Sequence, residues 1–433
     1  MRFGLLTLIT LFCVVNLRAQ DSMTVFTGAK IYPVSSVPIE NGTLIIRNGK
    51  ISAIGNNTDI PIPADAKVID VAGRMIMPGL VDTHSHIGNG SGGDGSLALH
   101  PEVRILDAID IKHPTFRKAT SGGITTVNIM PGSGHLISGQ TVYLKLRGGE
   151  RIEDLLIYNS KYPEIYGGLK MANGTNSIRN KAPFPGTRAK SASLVREIYV
   201  KAQAYKKKLD AAKEDPEKTP ERDLQMEALV EVLEGKRLVH HHTHRHDDII
   251  TVLRLAEEFG FRVVLHHISE GWKVADQIAA AGAPCSIILI DSPGGKLEAV
   301  NLSNKTGAIL EKAGADVAFH TDDPINDSRL FLRNAALAVR EGMSVNKALE
   351  GLTLAGARML DLDDRIGSLE TGKDADLVIL SGDPLSVYTH VEQTWVEGRK
   401  VFDRSDPEDR KYAVGGYNVY RGGQQHVHRG GLE

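Results

Sequence analysis

Four short apolar segments of the chain end in histidine or aspartate side chains, which are common metal ligands. The segments are PGLVDTHSH (78–86), RLVHHHTHRHDD (237–248), VVLHH (263–267) and VAFHTDDP (317–324). Each is short and apolar enough to be a buried β-strand. In a parallel (β/α) barrel the carboxyl ends of the strands form one rim, which carries the active site. We therefore predict a metal site at such a rim, with five ligands: His84, His86, His242, His267 and Asp322.

The middle of the chain alternates segments of strand and helix character. DDIITVLRLAEEFG (247–260) has apolar residues at helical spacing and ends in glycine, and the strand segment FRVVLHH follows it. KVADQIAAAG is then typical of a helix and APCSIILI of a strand. This alternation predicts a parallel sheet within a barrel domain that spans residues 78–365. The long, charged segment 188–236 predicts a helical hairpin inserted into that domain.

Strand-rich segments flank the predicted barrel. Residues 21–77 and 366–405 contain short stretches of alternating apolar and polar residues, separated by glycine-containing turns. They predict a small β-sandwich domain built from both ends of the chain. Residues 406–433 have no periodicity, and we expect a flexible tail there, although its His426 and His428 are of metal-ligand type.

The first twenty residues have the features of a secretory signal peptide. Arg2 is basic, an apolar run follows, and Ala19 lies near a suitable cleavage point. An uncleaved membrane anchor is the alternative, but the run is short for a membrane span. We therefore expect an exported protein, periplasmic or secreted, with no membrane span in the mature chain. Its only cysteine would be Cys285, which excludes an intramolecular disulfide.

The charged residues nearly balance, with 51 Lys and Arg against 53 Asp and Glu and a formal net charge of −2. No basic stripe is visible along the sequence, which argues against nucleic acid as a partner. The expected partner is a small-molecule substrate. The sequence leaves the oligomeric state open, and a homo-oligomer is compatible with it.

Strand geometry indicates which residues of the first two segments can bind one ion. Residues two apart share a face of a strand, so His84 and His86 can chelate the same ion. The second segment has more histidines than one site needs. We predict His242 as its ligand and place His244 one step further along the rim.

The last two segments each offer two side chains of ligand type. Adjacent strand residues face opposite sides, so we expect only one of His266 and His267 to face the barrel interior, and we assign His267. Asp322 shares a face with His320 and can either bind a metal or accept a proton from an attacking water. His320 lies deeper, either as a core histidine or as a group that supports a ligand.

Together these motifs resemble the amidohydrolase superfamily of metal-dependent hydrolases, and within it the imidazolonepropionase-like and dipeptidase-like branch. The resemblance covers nearly the whole mature chain. It rests on MPGLVDTHSH, the strand-end His242 and His267, HTDDP, and RIGSLETGKDADLVILSGDP (365–384). It implies an α/β fold, a distorted (β/α)8 TIM barrel with a small β-sandwich formed by both termini. The motifs are specific for the superfamily and not for the substrate.

The resemblance also implies a role for each ligand. His84, His86 and His242 would bind a divalent metal, which we expect to be Zn²⁺, and Asp322 would be both ligand and general base. His267 would complete a second metal site or polarise the substrate carbonyl. Relatives with two metals use a carboxylated lysine, for which Lys170 is the candidate; a structural or substrate-binding lysine is the alternative. We expect one ion, with two as the alternative.

The predicted function is metal-dependent hydrolysis of an amide or cyclic amide C–N bond. Export favours a small substrate such as a dipeptide or an N-acyl amino acid. Arg188 and Arg245 are candidates for binding its carboxylate, with surface ion pairs as the alternative. The competing hypotheses are a heterocycle deaminase of the same superfamily and a non-catalytic metal- or ligand-binding relative.

Overall fold

The computed structural model describes residues 23–90, 92–289 and 296–414 of the chain. The predicted signal peptide and the tail residues His426 and His428 lie outside these ranges. Within them, no helix has the length and apolar character of a membrane span.

Strands occupy both ends of the chain and recur through its middle. They are β1 (Met23–Ile31), β2 (Ile39–Arg47), β3 (Lys50–Asn56), β4 (Lys67–Asp70), β5 (Met75–Pro78), β6 (Leu80–Ser85), β7 (Ile124–Ile129), β8 (Ile137–Gln140), β9 (Val142–Lys145), β10 (Leu169–Ala172), β11 (Val239–Thr243), β12 (Val263–His267), β13 (Cys285–Ile287), β14 (Val317–Phe319), β15 (Leu377–Leu380), β16 (Val391–Val396) and β17 (Arg399–Asp403).

Helices fall between the central strands and after the last one. They are α1 (Pro114–Ser121), α2 (Arg188–Ala212), α3 (Leu224–Leu233), α4 (His246–Phe259), α5 (Ala275–Ala280), α6 (Thr306–Ala313), α7 (Leu332–Arg340), α8 (Val345–Gly351), α9 (Leu354–Arg358) and α10 (Pro407–Ala413). Short 3-10 helices include Gly174–Asn176 and Leu297–Ala299.

The strands from the two ends of the chain form one eight-stranded sheet, in which seven strands follow the order β17-β16-β15-β5-β1-β2-β3 and β4 pairs with β1 beside this path. The two ends meet where β5 pairs with β15 in antiparallel fashion. The sheet is continuous because β1 pairs with β4 along its first half and with β5 at its end. Phe26 and Trp395 pack edge to face in its core, with ring centroids 5.1 Å apart. The strands of the predicted β-sandwich therefore belong to one hydrogen-bonded sheet.

The central strands form a six-stranded sheet, β14-β13-β12-β11-β10-β8, and a three-stranded sheet, β6-β7-β9. Neighbours from β10 to β14 are parallel, as are β6 and β7. Strands β8 and β9 are separated only by Thr141 and run antiparallel to β10 and β7, so this segment links the two sheets. Among the described residues no ladder joins β14 to β6. However, just beyond β14, Asp322 N donates to His84 O of β6 at 2.9 Å.

The segment 188–236 contains the helices α2 and α3. The helix α2 is attached to the rest of the domain by Tyr199, which stacks on Phe259 and Phe261 with centroids 5.1 and 5.2 Å apart. At the other end of the chain, the prediction of a flexible tail from residue 406 is wrong for Pro407–Ala413. These residues form α10, which starts with a proline after the capping side chain of Asp406.

A buried cation joins the eight-stranded sheet to the central strands. Lys145, at the end of β9, is fully buried and bonded to Asp374, and its Nζ is 3.1 Å from Asp376 and 3.3 Å from Glu397. The three carboxylates belong to the loop before β15 and to the turn between β16 and β17. Removing a partner from a buried ionic group leaves the other charges unpaired in a medium of low polarity, which is strongly destabilising.

We predict that Lys145→Met lowers the free energy of unfolding by about 3–5 kcal/mol, because it leaves buried carboxylates without their cation. Urea unfolding followed by circular dichroism measures the change. Lys201→Met is the matched control, since Lys201 pairs with Glu197 on the exposed surface of α2, and it should leave the unfolding midpoint nearly unchanged. Equal stability of the two variants would contradict the prediction.

Candidate metal centre

The ends of the central strands bring three predicted ligands to one point. His84 Nε2 is 3.3 Å from His86 Nε2, and Asp322 Oδ1 is 3.4 Å from the first nitrogen and 3.0 Å from the second. Ligands about 2.0–2.1 Å from a tetrahedral Zn²⁺ ion lie about 3.3 Å from one another. The three atoms therefore have the spacing of three corners of one coordination tetrahedron.

The surroundings of the two imidazoles determine which of their ring nitrogens carry protons. His86 Nδ1 lies 2.8 Å from the carbonyl oxygen of Met130. A carbonyl oxygen can only accept, so Nδ1 carries the proton and Nε2 presents its lone pair to the site. The buried His84 has its pKa held well below the ordinary value by burial and by the charge of Lys170, which keeps its ring neutral. Neutral imidazole is the form that binds a metal.

The aspartate ligand is held by hydrogen bonds between β6 and the end of β14. Asp82 is fully buried and accepts from Thr321 N at 3.0 Å and from Thr321 Oγ1 at 2.5 Å. The next residue, Asp322, has a left-handed backbone with φ 50°. Burial raises the pKa of Asp322, but the contact with His86 and the charge of Lys170 outweigh it and bring the pKa to about 2. The carboxylate is therefore ionised, as a ligand must be.

The expectation that only one of His266 and His267 faces the barrel interior is wrong. Ring centroids of both lie close to that of His84, at 5.1 and 5.0 Å. The alternation of a strand ends at His267, which has φ 70°. This positive angle turns the second ring to the same side as the first. His267 Nε2 is buried without a hydrogen-bond partner among the described residues and lies 4.0 Å from Asp322 Oδ2.

His320 contacts the site through the ring of His267. Its Nε2 is 3.3 Å from His267 Nδ1, and its Nδ1 is 2.7 Å from Ser286 Oγ. The Ser286 hydroxyl is in turn 2.5 Å from that of Thr83 on β6. His320 is fully buried and belongs to this hydrogen-bonded chain. His320 is therefore both a core histidine and a group that orients the ring of His267.

Lys170 lies in the same site. Its Nζ is 3.1 Å from His84 Nε2 and 3.0 Å from Met130 Sδ, and the side chain is fully buried on β10. Burial lowers the pKa of Lys170 to about 7. A lysine with this pKa is partly neutral near pH 7, and a neutral amine can react with CO2. Both the carboxylated and the unmodified lysine are therefore compatible with this position.

His242 and His244 form a second group, whose ring centroids are 4.6 Å apart. Both are buried, and a carboxylate oxygen of Glu298 lies with their ring nitrogens within 4.8 Å. His242 Nε2 is 3.0 Å from Asn176 Nδ2 and 3.3 Å from Lys296 Nζ. The five predicted ligands are thus divided: three lie in the first group, His242 lies in the second, and the ring of His267 is 4.3 Å from that of His242.

The sequence reasoning missed Asn176, Lys296 and Glu298. All three lie in loops that follow strands, in the 3-10 helix after β10 or after the predicted strand APCSIILI. Apolar strand ends are visible in the sequence through their periodicity, whereas these loops have none. The available signal was their position, because loops at the carboxyl ends of strands lie on the same rim.

Both arginines proposed to bind substrate form ion pairs with aspartates. Arg188 Nε is 3.0 Å from each carboxylate oxygen of Asp248. Arg245 contacts Asp247 at 3.0 and 2.8 Å on the exposed surface. Arg188 also lines a cavity of about 270 Å³ that is bordered by the start of α2 and by α4. The ion-pair alternative therefore describes Arg245 fully, while Arg188 remains next to a space that a ligand can enter.

The arrangement fits a divalent metal. Two imidazole nitrogens and one ionised carboxylate converge at ligand spacing, and the buried His267 Nε2 beside them has no other partner among the described residues. Imidazole and carboxylate together suit Zn²⁺ and other borderline first-row ions. Such a site can activate a water molecule for attack on a polarised carbon.

Known proteins are similar in sequence to this chain over most of its length. The family described as "Amidohydrolase family" matches residues 75–401. The amidohydrolase tasK of Hapsidospora irregularis is 26% identical over 392 residues, which are 84% of this chain and 40% of that longer protein. An imidazolonepropionase of Rhizobium rhizogenes is 26% identical over 397 residues, covering 83% of this chain and 92% of the relative.

A solved structure is similar to this chain in fold. An amidohydrolase from Thermotoga maritima MSB8 matches with a TM-score of 0.81 and 34% identity, over 88% of this chain and 100% of that chain. Structural neighbours of this kind imply a TIM barrel with a small second domain. The described residues show a mixed α/β arrangement of the central strands and a separate eight-stranded sheet.

We predict that His86→Asn weakens metal binding by more than about 100-fold, since loss of an outer group that merely orients a ligand already costs 10–100-fold. Metal content after dialysis, measured by inductively coupled plasma mass spectrometry, tests this. His390→Asn is the control, because His390 is half exposed and pairs with Glu392 on the eight-stranded sheet. Unchanged metal content in the His86 variant would show that the first group is not the site.

Proposed function

The chain belongs to the amidohydrolase family, on its imidazolonepropionase-like branch, and is a hydrolase of that superfamily; from this we propose that it cleaves an amide or cyclic amide C–N bond in a small substrate. The observation that carries the proposal is the convergence of His84, His86 and Asp322 on one point. We propose Zn²⁺ as the metal, since imidazole and carboxylate ligands suit it.

A metal ion held by His84, His86 and Asp322 would supply Lewis acidity toward a water molecule and toward the scissile carbonyl. The protein residues supply the rest. Asp322 presents a carboxylate with two oxygens, of which Oδ1 faces the two imidazoles and Oδ2 lies toward His267. Asp322 accepts the proton of the attacking water and returns it to the leaving nitrogen, as a general base and then a general acid.

His267 is placed to bind the substrate carbonyl or to serve as a further ligand. Its Nδ1 is held by His320, so the ring is fixed and Nε2 points toward the site. A preorganised group costs little reorganisation when the reaction occurs. The chain Thr83–Ser286–His320 behind it keeps this orientation.

A dipeptide or N-acyl amino acid is the substrate class we propose. The predicted export of the chain supports it, because an enzyme outside the cytosol meets such compounds as nutrients or breakdown products. Arg188 and the cavity next to it offer one place for a substrate carboxylate, provided that Asp248 shares the guanidinium.

A heterocycle deaminase is the second candidate, because the same water attack can expel ammonia from a ring carbon. Its specific support is the buried, histidine-rich interior, which is suited to a planar, hydrogen-bonding substrate. Release of ammonia from purines, pyrimidines or triazines would favour it over amide hydrolysis. A non-catalytic binding protein would show neither reaction.

We propose one ion, with a carboxylated Lys170 between two ions as the alternative. Lys170 contacts the first group through His84 Nε2. The intact mass of the protein distinguishes the forms, since carboxylation adds one CO2, and metal analysis counts the ions. Two tightly bound ions per chain together with that added mass would establish the alternative.

The decisive experiment is a screen of dipeptides, N-acyl amino acids and heterocycles with the purified full chain, with and without a chelator. The proposal requires turnover that is lost on chelation and restored by Zn²⁺. Absence of metal-dependent turnover on dipeptides and N-acyl amino acids would show that the substrate class is wrong.

We predict that Asp322→Asn lowers kcat by about 10²–10⁴-fold at saturating metal, because the amide cannot accept the proton of the attacking water. Asp276→Asn, on the exposed face of α5, is the control and should keep full activity. Circular dichroism checks that both variants fold. Normal turnover in the Asp322 variant would exclude this residue as the general base.

A further inference from the structure

The loop after β10 carries an arginine that pairs with no carboxylate among the described residues. Arg179 Nη1 donates to the carbonyl oxygen of Gly134 at 2.8 Å. Its guanidinium carbon Cζ lies 3.8 Å from the ring centroid of Phe184, and this stacking holds the plane of the group. Arg188 and Arg245, in contrast, are each paired with an aspartate. Arg179 therefore presents N–H donors on a charge that the described chain leaves without a counterion.

His135, which follows Gly134, is a buried histidine without hydrogen-bond partners. It is 4% exposed, and neither of its ring nitrogens has a partner among the described residues. Burial, followed by the charge of Arg179, lowers the pKa of His135 to about 4, so the ring is neutral, with one N–H donor and one acceptor. Its ring centroid is 5.2 Å from that of Phe184. Unpaired polar atoms in a buried ring are costly, so His135 needs a partner that the described chain does not supply.

Two glycine-containing loops close around His135. A side chain at Gly93 would place its Cβ 2.9 Å from the His135 ring, and one at Gly132 would place its Cβ 2.3 Å from Gly92 O. Gly93 also has φ 119°, a conformation that favours glycine. The loops after β6 and β7 approach this closely because these positions lack side chains. Backbone, and not a polar side chain that could pair with it, therefore covers this side of the ring.

The acidic side chains of this region contact a different histidine. Asp94 Oδ1 is 3.8 Å from His100 Nε2, and Glu102 Oε1 is 3.3 Å from His100 Nδ1. The His100 ring centroid is 6.0 Å from that of His135. Both carboxylates are thus directed to His100, and the charge of Arg179 is left for another anion.

The loop that carries His135 is anchored beside the candidate metal centre. At its start, His86 Nδ1 donates to the carbonyl oxygen of Met130 at 2.8 Å. At its end, Ala172 N of β10 donates to the carbonyl oxygen of Leu136 at 3.2 Å. The loop therefore runs from a metal-ligand strand to the end of β10, along the rim that carries the metal ligands.

We infer that Arg179 and His135 form the subsite for the carboxylate of the substrate. The inference rests on the proposed cleavage of a dipeptide or an N-acyl amino acid, in which one carbon atom separates the scissile nitrogen from a free carboxylate. A guanidinium offers two parallel N–H donors to the two oxygens of such a group. The neutral His135 ring donates one further hydrogen bond. The subsite selects acids over the corresponding C-terminal amides.

Matched acids and amides test the subsite in the full-length, metal-loaded protein. The probes are N-acetylglycine, N-acetyl-L-leucine and N-acetyl-L-phenylalanine, each with its C-terminal amide. Wild type should prefer the acids at least about tenfold in kcat/KM, since hydrogen bonds between charged groups contribute that much. Arg179→Met should remove the preference by lowering kcat/KM for the acids alone, and Arg179→Lys should restore part of it. His135→Phe should lower kcat/KM for the acids about two- to tenfold.

Two other arginines serve for comparison. Arg196→Met is the matched control, because Arg196 pairs with Glu258 on the exposed surface of α2, and it should keep the full preference. Arg188→Met tests the competing place for the carboxylate and should also keep the preference, since Asp248 already holds that guanidinium. Circular dichroism confirms that each variant folds.

Binding decides the matter if none of the probes is turned over. Isothermal titration calorimetry then compares the same pairs, and the acids should bind wild type at least about tenfold more tightly than the amides. The inference is overturned if no acid binds, if wild type shows no preference, if the preference survives Arg179→Met, or if Arg188→Met removes it instead. A preference that depends on Arg179 without metal-dependent turnover would refute the proposed hydrolysis and leave the subsite standing.

Discussion

The candidate site depends on the hydrogen bonds that fasten the end of β14 to β6. Asp82, buried at the base of the first ligand strand, binds both the backbone and the hydroxyl of Thr321. This contact joins residues that are 239 positions apart in the chain. It places Asp322 against His84 and His86, and the backbone bond from Asp322 N to His84 O completes the connection. These bonds tie the loop that carries Asp322 to the strand that carries His84.

The same rim carries two groups that differ in composition, although each has a lysine amine beside an imidazole nitrogen. The first, around Asp322, has neutral imidazoles and an ionised carboxylate, and it is suited to a metal. The second, around His242, has its lone pairs directed at an ammonium. His267 lies between them, with Nδ1 held by His320. A barrel rim can hold such different environments side by side because each strand end contributes independently.

Strand periodicity predicted a large part of this arrangement. The apolar runs before the histidines became β6, β11, β12 and β14, and the two-residue spacing placed the Nε2 atoms of His84 and His86 3.3 Å apart. The alternation of helices with strands indicated the mixed α/β centre, and the terminal segments did form a sheet of their own. Periodicity failed at His267, because a strand pattern assumes extended backbone and this residue has φ 70°. Periodicity also did not predict that β8 and β9 run antiparallel to β10 and β7, because nothing in the local sequence indicates that direction.

The sequence by itself determined which side chains were available and on which strand ends they stood, because burial and alternation are local properties. It could not determine which of these side chains lie together in the same group. Only the tertiary structure placed His242 with Lys296 and Glu298 and apart from Asp322. Those partners come from an aperiodic loop more than fifty residues along the chain from His242. Contacts of that kind depend on how loops meet above the barrel, and no property of the separate segments encodes them.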